Sequence, residues 1–123
     1  MKDLQIGTAE SKFADIIWAN EPITSSHLAK LSEEAFGWKK STSFTVLKRL
    51  CKKELFKNEN GMVTSLITRG DFYSLCGEKF VDEGFGGSLP AFVAAFSTRR
   101  RLSQKQIEEI ERVLQEHRED QDD

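Results

Sequence analysis

Residues 37–56, GWKKSTSFTVLKRLCKKELF, can be folded in few ways, because as a helix they carry two surfaces with opposite needs. At 100° per residue with Leu47 as zero, Val46, Leu50, Ser43, Leu47, Cys51, Phe44 and Leu55 fall between about −100° and +80°. Lys48, Ser41, Lys52, Thr45, Arg49, Thr42 and Lys53 fill the rest, from about 100° to 240°. The first side must be buried against other elements and the second must face water or a polar partner.

The 123-residue chain has a formal net charge of −2, yet residues 38–57 set Lys39, Lys40, Lys48, Arg49, Lys52, Lys53 and Lys57 against Glu54 alone. Residues 1–72 hold 11 Lys and Arg against 9 Asp and Glu, whereas 73–123 hold 7 against 11. A polyanion responds to the local field, so the acidic total does not exclude one as a partner. The length suits one domain or two small units and leaves little room for an enclosed cleft.

Chemistry-bearing constellations are absent from the pattern. Cys51 and Cys76 lack CxxC or CxC spacing and are read as core fillers, while His27 and His117 are isolated. No Ser/His/Asp set, Cys/His pair or metal-ligand cluster can be assembled, and GFGGS lacks the flanking strand of a phosphate-binding loop. We therefore expect no enzyme, no cofactor and no metal. No apolar run approaches membrane-spanning length and the N-terminus lacks a signal-peptide core, so the expected location is cytoplasmic, with no membrane insertion.

Elements before and after the two-faced segment complete a pattern. Thr8 is placed to cap a first helix with Ala9, Phe13, Ile16 and Ile17 at helical spacing, closed by Trp18 and interrupted by Pro22. Ile23 begins a short extended link, and Thr24 or Ser25 caps a second helix with Leu28, Leu31 and Ala35 inward, ended by Gly37. After the two-faced helix, Asn60-Gly61 between β-compatible segments signals a type I′ hairpin. Three helices followed by a hairpin predict a winged helix-turn-helix over residues 1–70, in a chain of mostly α (α+β) class.

Helical spacing returns beyond residue 70. Asp71 is placed to cap a helix with Phe72, Leu75, Cys76 and Phe80 on one side, stopped near Gly84. Ser88 caps another, with Pro90 in its first turn and Leu89, Phe92, Val93 and Phe96 on its apolar side. Ser103 and Gln106 form a capping box, Leu102 and Ile107 take the staple positions, and Ile110, Val113 and Leu114 continue the stripe. Three such helices have no independent core of adequate size, so residues 71–115 are read as a helical dimerisation region. The acidic residues 116–123 are read as a disordered tail.

On this reading the polar side of the two-faced helix enters a DNA major groove, with the preceding helix across the backbone. Ser41, Thr42, Thr45, Lys48, Arg49 and Lys52 are the candidates for the groove, with Lys39, Lys40, Lys53 and Lys57 nearer phosphates. Phe44, near the edge of the apolar arc, is expected to pack in the core. Two further readings stay open. One is a winged-helix module whose basic side meets an acidic protein, favoured by Met62 in the wing; the other is a metal- or redox-responsive repressor using Cys51 and Cys76.

These residues resemble the penicillinase repressor family of transcriptional repressors along nearly the whole chain. Ala9-Glu10 and Ile17-Trp18 are similar to its opening segment. Trp38, Thr42, Thr45, Leu47 and Arg49-Leu50 are similar to its W-x-x-x-T-x-x-T-x-L-x-R-L helix, and Leu102-Ser103 with EEIERVLQEH to its C-terminal signature. The resemblance implies a homodimer on a dyad-symmetric operator, repressing transcription. It further implies relief by a membrane sensor protease, activated by a β-lactam, that cuts at the position matching Ala95-Phe96. Lys40, Ser43 and Glu54 stand where the family has Pro, an apolar residue and Gly, and Met62, Thr64 and Leu66 replace basic and aromatic wing residues. The copper-responsive branch carries CxC pairs that this chain lacks.

Overall fold

The computed structural model describes residues 2–122 and runs α1 (Thr8–Asn20), β1 (Ile23–Thr24), α2 (Ser25–Phe36), α3 (Lys40–Lys52), β2 (Phe56–Glu59), β3 (Met62–Ser65), α4 (Arg69–Phe85), α5 (Leu89–Arg99) and α6 (Gln104–Asp122). Two compact units divide the chain, 1–79 and 80–123. Sequence patterning puts the boundary at 70/71; the first unit reaches further because Phe72 is buried within its core and Cys76 packs against it.

Short-range chemistry sets the element ends. Thr8 is the first residue of α1 rather than its cap: the cap is Gly7, whose N–H donates to Glu10 Oε1 at 3.4 Å. Thr24 Oγ1 accepts from the His27 N–H and opens α2, and Gly37 closes it in the left-handed region at φ 72°. Asn60 (φ 54°) and Gly61 (φ 85°) make the two-residue turn between β2 and β3, both positive as a type I′ turn requires. Ile23 and Thr24, expected as a link, pair with Val63 and Met62, so the sheet has three antiparallel strands in the order β1-β3-β2. A two-residue strand has too little pattern to be read before its partner is known.

The core of the first unit gathers Phe13 and Ile17 of α1, Leu28 of α2, Val46, Leu47 and Leu50 of α3, and Leu55, Phe56, Val63 and Phe72. Trp18 ties three elements together. Its ring lies 5.1 Å from Phe56 and 5.5 Å from Phe72, centroid to centroid, and its Nε1–H donates to the Ile67 carbonyl at 3.0 Å. Ala35, expected inward, is exposed, as is Ala9. Where the family's Gly stands, Glu54 takes φ 63°, a left-handed conformation that costs a side-chain-bearing residue roughly 1 kcal/mol.

In the second unit Gly86 (φ 56°) and Gly87 (φ 81°) turn the chain after α4, with the Gly87 N–H bonded to the Val81 carbonyl at 3.1 Å. Ser88 Oγ then caps α5 by accepting from Ala91 N–H. The Ser103–Gln106 box opens α6, each backbone N–H bonded to the other's side chain at 3.1 Å. Asp71 does not cap α4; Thr68 Oγ1 does, accepting from the Asp71 N–H at 3.1 Å. Helix α6 continues through Asp122, beyond the residue at which an acidic disordered tail is expected; pairs four residues apart, Gln115 with Glu119 and Gln121 with His117, line its last turns. Asp123 lies outside the described residues.

Two substitutions in α3 should move stability in opposite directions. Leu50 is wholly buried, and Leu50→Ala should cost about 2–5 kcal/mol. Ser43 is 1% exposed and its hydroxyl has no hydrogen-bond partner, so Ser43→Ala should stabilise by about 1 kcal/mol. Urea unfolding of the two variants and the parent checks both signs.

Candidate nucleic-acid interface

The surface built by α3 follows from its burial. Ser43, Val46, Leu47 and Leu50 are its buried residues. Lys40, Ser41, Thr42, Thr45, Lys48, Arg49 and Lys52 are all exposed, and Lys39, which caps the helix without a side-chain hydrogen bond, is exposed beside them. First-turn N–H groups without a side-chain cap, next to two lysines, form a surface that favours an anion.

Lys57 stands apart from this set, on β2, where its Nζ lies 3.3 Å from Glu59 Oε1. Lys53 is turned inward. Its side chain is 19% exposed, its ammonium donates to the Gln5 carbonyl, and it lies 3.8 Å from Glu10 Oε2. An ammonium held this way is less free to meet a phosphate than Lys48 or Lys52.

Glu10 is a participant that helical spacing alone did not single out. Its carboxylate, 18% exposed, sits 3.8 Å from Arg49 Nη1 as well as from Lys53. It thus gives the Arg49 guanidinium a counter-charge at Nη1 while the side chain, 52% exposed, remains at the surface. Between α1 and α3 lies an open groove of about 580 Å³ lined by Thr8, Ala9, Trp38, Ser41, Thr42, Thr45 and Arg49 among others. Trp38 floors this region, stacked on Phe13 at 5.6 Å and tilted against Phe36 at 4.9 Å.

Phe44 departs from expectation. It is 38% exposed rather than packed in the core, and the Lys40 ammonium lies 5.5 Å from its ring centroid. At about 60° on the wheel it falls just outside the sector the neighbouring elements cover.

The expected dimerisation residues separate into two groups. Phe72 does not belong to an open apolar side: it is 1% exposed and fills the first unit's core beside Trp18. Leu75, Phe80, Leu89, Phe96, Ile110, Val113 and Leu114 are each between 39% and 60% exposed, with Phe92, Val93 and Ile107 half-buried. Phe80, Phe85, Phe92 and Phe96 form a chain of rings 5.4 to 6.3 Å apart, and no residue of 80–121 is buried. Ala95 and Phe96 are exposed midway along α5.

Among the described residues no helix is long and apolar enough to cross a membrane, and no three His, Cys, Asp or Glu side chains gather as metal ligands. Cys51 and Cys76 are both free thiols. Burial pushes the Cys51 thiol above its ordinary pKa, and burial does the same to Cys76 against a smaller opposing effect of Lys79.

Residues 6–116 match the family profile described as penicillinase repressor. The chain is 29% identical to the penicillinase repressor of Bacillus licheniformis over 93% of this chain and 92% of that protein. It is 26% identical to the methicillin resistance regulatory protein MecI of Staphylococcus aureus, over 92% and 95%. The solution structure of the DNA binding domain of the repressor BlaI superposes with a TM-score of 0.52 at 29% identity, covering 58% of this chain and 93% of that one. The mostly helical arrangement with its small antiparallel sheet is therefore a winged helix, as the sequence leads one to expect.

A raised thiol pKa leaves less thiolate at neutral pH, so both cysteines should react with iodoacetamide more slowly than a small free thiol. Mass spectrometry of the alkylated chain, folded and in denaturant, measures this; equal rates in the two states would contradict the burial seen here.

Proposed function

Because the chain belongs to the penicillinase repressor family, we propose that it represses transcription by binding, as a homodimer, a dyad-symmetric operator in double-stranded DNA. The observation that carries this reading is the outer side of α3, where Lys40, Ser41, Thr42, Thr45, Lys48, Arg49 and Lys52 are all exposed over a buried apolar side. In the major groove the hydroxyls and Arg49 meet base edges, and the lysines, with Lys39 and Lys57, meet phosphates. Lys53 acts through Glu10 and the Gln5 carbonyl more than through DNA.

The second unit supplies the dimer in this reading. Leu89, Phe96, Ile110, Val113 and Leu114 stay in water in a single copy, and a second copy recovers that burial. Induction acts on the same unit: a membrane sensor protease responding to a β-lactam-type signal cuts at Ala95-Phe96. Both residues are exposed, and the cut splits α5 itself, parting its first half from its last turn and α6. Loss of the dimer then lowers affinity because two half-sites no longer bind as one.

Salt dependence tests the electrostatic part. If a dimer neutralises roughly 6–10 phosphates, affinity for DNA upstream of the gene should fall about 10³–10⁵-fold between 50 and 200 mM salt. Tight binding without that slope, or no binding at all, would contradict the proposal. Arg49→Ala should weaken binding by about 1–3 kcal/mol in fluorescence anisotropy, with the dimer unchanged in sedimentation.

A further inference from the structure

Phe44 is left unexplained by both the core and the polar contacts. It lies outside the core cluster and outside the partly buried residues packed on it, with 38% of its surface exposed. It borders a shallow groove of about 390 Å³ together with Lys48, Cys51 and Asn58. Lys40 and Lys48 stand one turn before and one turn after it, placing the ring in a row between two ammonium groups. The Lys40 ammonium lies over the ring at 5.5 Å.

An apolar ring flanked by cations suits a partner that is polyanionic overall and apolar at one point. An apolar protein surface would have to desolvate both lysines, whereas phosphates neutralise them. On major-groove base edges the apolar group is the C5-methyl of thymine, which distinguishes T·A from the other pairs. Phe44 also lies in the first half of α3, the part of a recognition helix that reaches base edges.

We infer that Phe44 is a specificity-determining residue that reads a thymine by packing its ring against the C5-methyl group, with Lys40 braced on the ring and paired to a phosphate. This rests on the repressor reading above and adds a base preference to it. Phe44 takes one thymine in each half-site, and Thr45 and Arg49, further round the helix, read neighbouring positions.

The test uses the full chain and duplexes it enriches from a random library. Each thymine of the enriched duplex is replaced in turn by deoxyuridine, which deletes the methyl group alone, and binding is followed by fluorescence anisotropy at fixed salt. One thymine per half-site should be sensitive, with affinity falling about fourfold on loss of its methyl group. Phe44→Ala should bind the thymine and uracil duplexes equally, while Phe44→Leu keeps part of the preference; thermal unfolding confirms that both variants fold. A uracil effect at no position, or one that persists undiminished in Phe44→Ala, would overturn the inference while leaving the repressor reading intact. Enrichment of no duplex at all would overturn the repressor reading, and the inference with it.

Discussion

Val46, Leu47 and Leu50 pack from one side of α3 into the core that Phe13, Ile17, Leu28, Phe56 and Val63 share, and the direction of every cation and hydroxyl on that helix follows from this burial. Rotating α3 by a single residue would carry Lys48 toward the core and Leu47 toward water. A buried unpaired ammonium is far costlier than any hydrogen bond α3 could regain, so the helix has one stable orientation. Trp18 secures the surrounding frame, because its indole bridges α1 to β2, to α4 and, through Nε1, to the segment before α4. The outer surface of α3 is therefore fixed before any partner arrives, which limits the ordering cost of binding.

Electrostatics sort the cations by use. The net charge of −2 describes the whole chain and says little about α3, where Lys40, Lys48 and Lys52 share an exposed side. Glu10 divides the remaining two: it lies 3.8 Å from both Arg49 and Lys53, but only the Arg49 side chain stays exposed, while Lys53 is turned inward. A carboxylate there costs some attraction for phosphate. On the proposed function it also narrows the positions Arg49 adopts, favouring selectivity among sequences over affinity for DNA in general.

What the sequence made legible was governed by short-range chemistry. Gly37, Asn60-Gly61, Ser88 and the Ser103–Gln106 box each do what their types require locally, and each stands where expected. The four buried residues of α3, Ser43, Val46, Leu47 and Leu50, were equally plain, because helical geometry fixes the wheel. Long-range matters were hidden. Phe72 has the same spacing as the apolar residues of the second unit, and only the arrival of Trp18 makes it core. Phe44 was assigned inward because a wheel cannot say how wide a sector the neighbours cover. Ile23 and Thr24 became a strand through Val63 and Met62, some forty residues away in sequence. Thr68 outcompeted Asp71 as the cap of α4 because the helix begins earlier than the apolar spacing suggested.

On the proposed function, the exposed side of α3 is the surface that meets DNA. Titrating the ¹⁵N-labelled chain with the enriched duplex and following backbone amide shifts tests it most directly. The largest changes should fall on residues 40–52, with smaller ones on the β2–β3 turn. Saturable binding that leaves the amides of α3 unmoved while shifting another surface would contradict it.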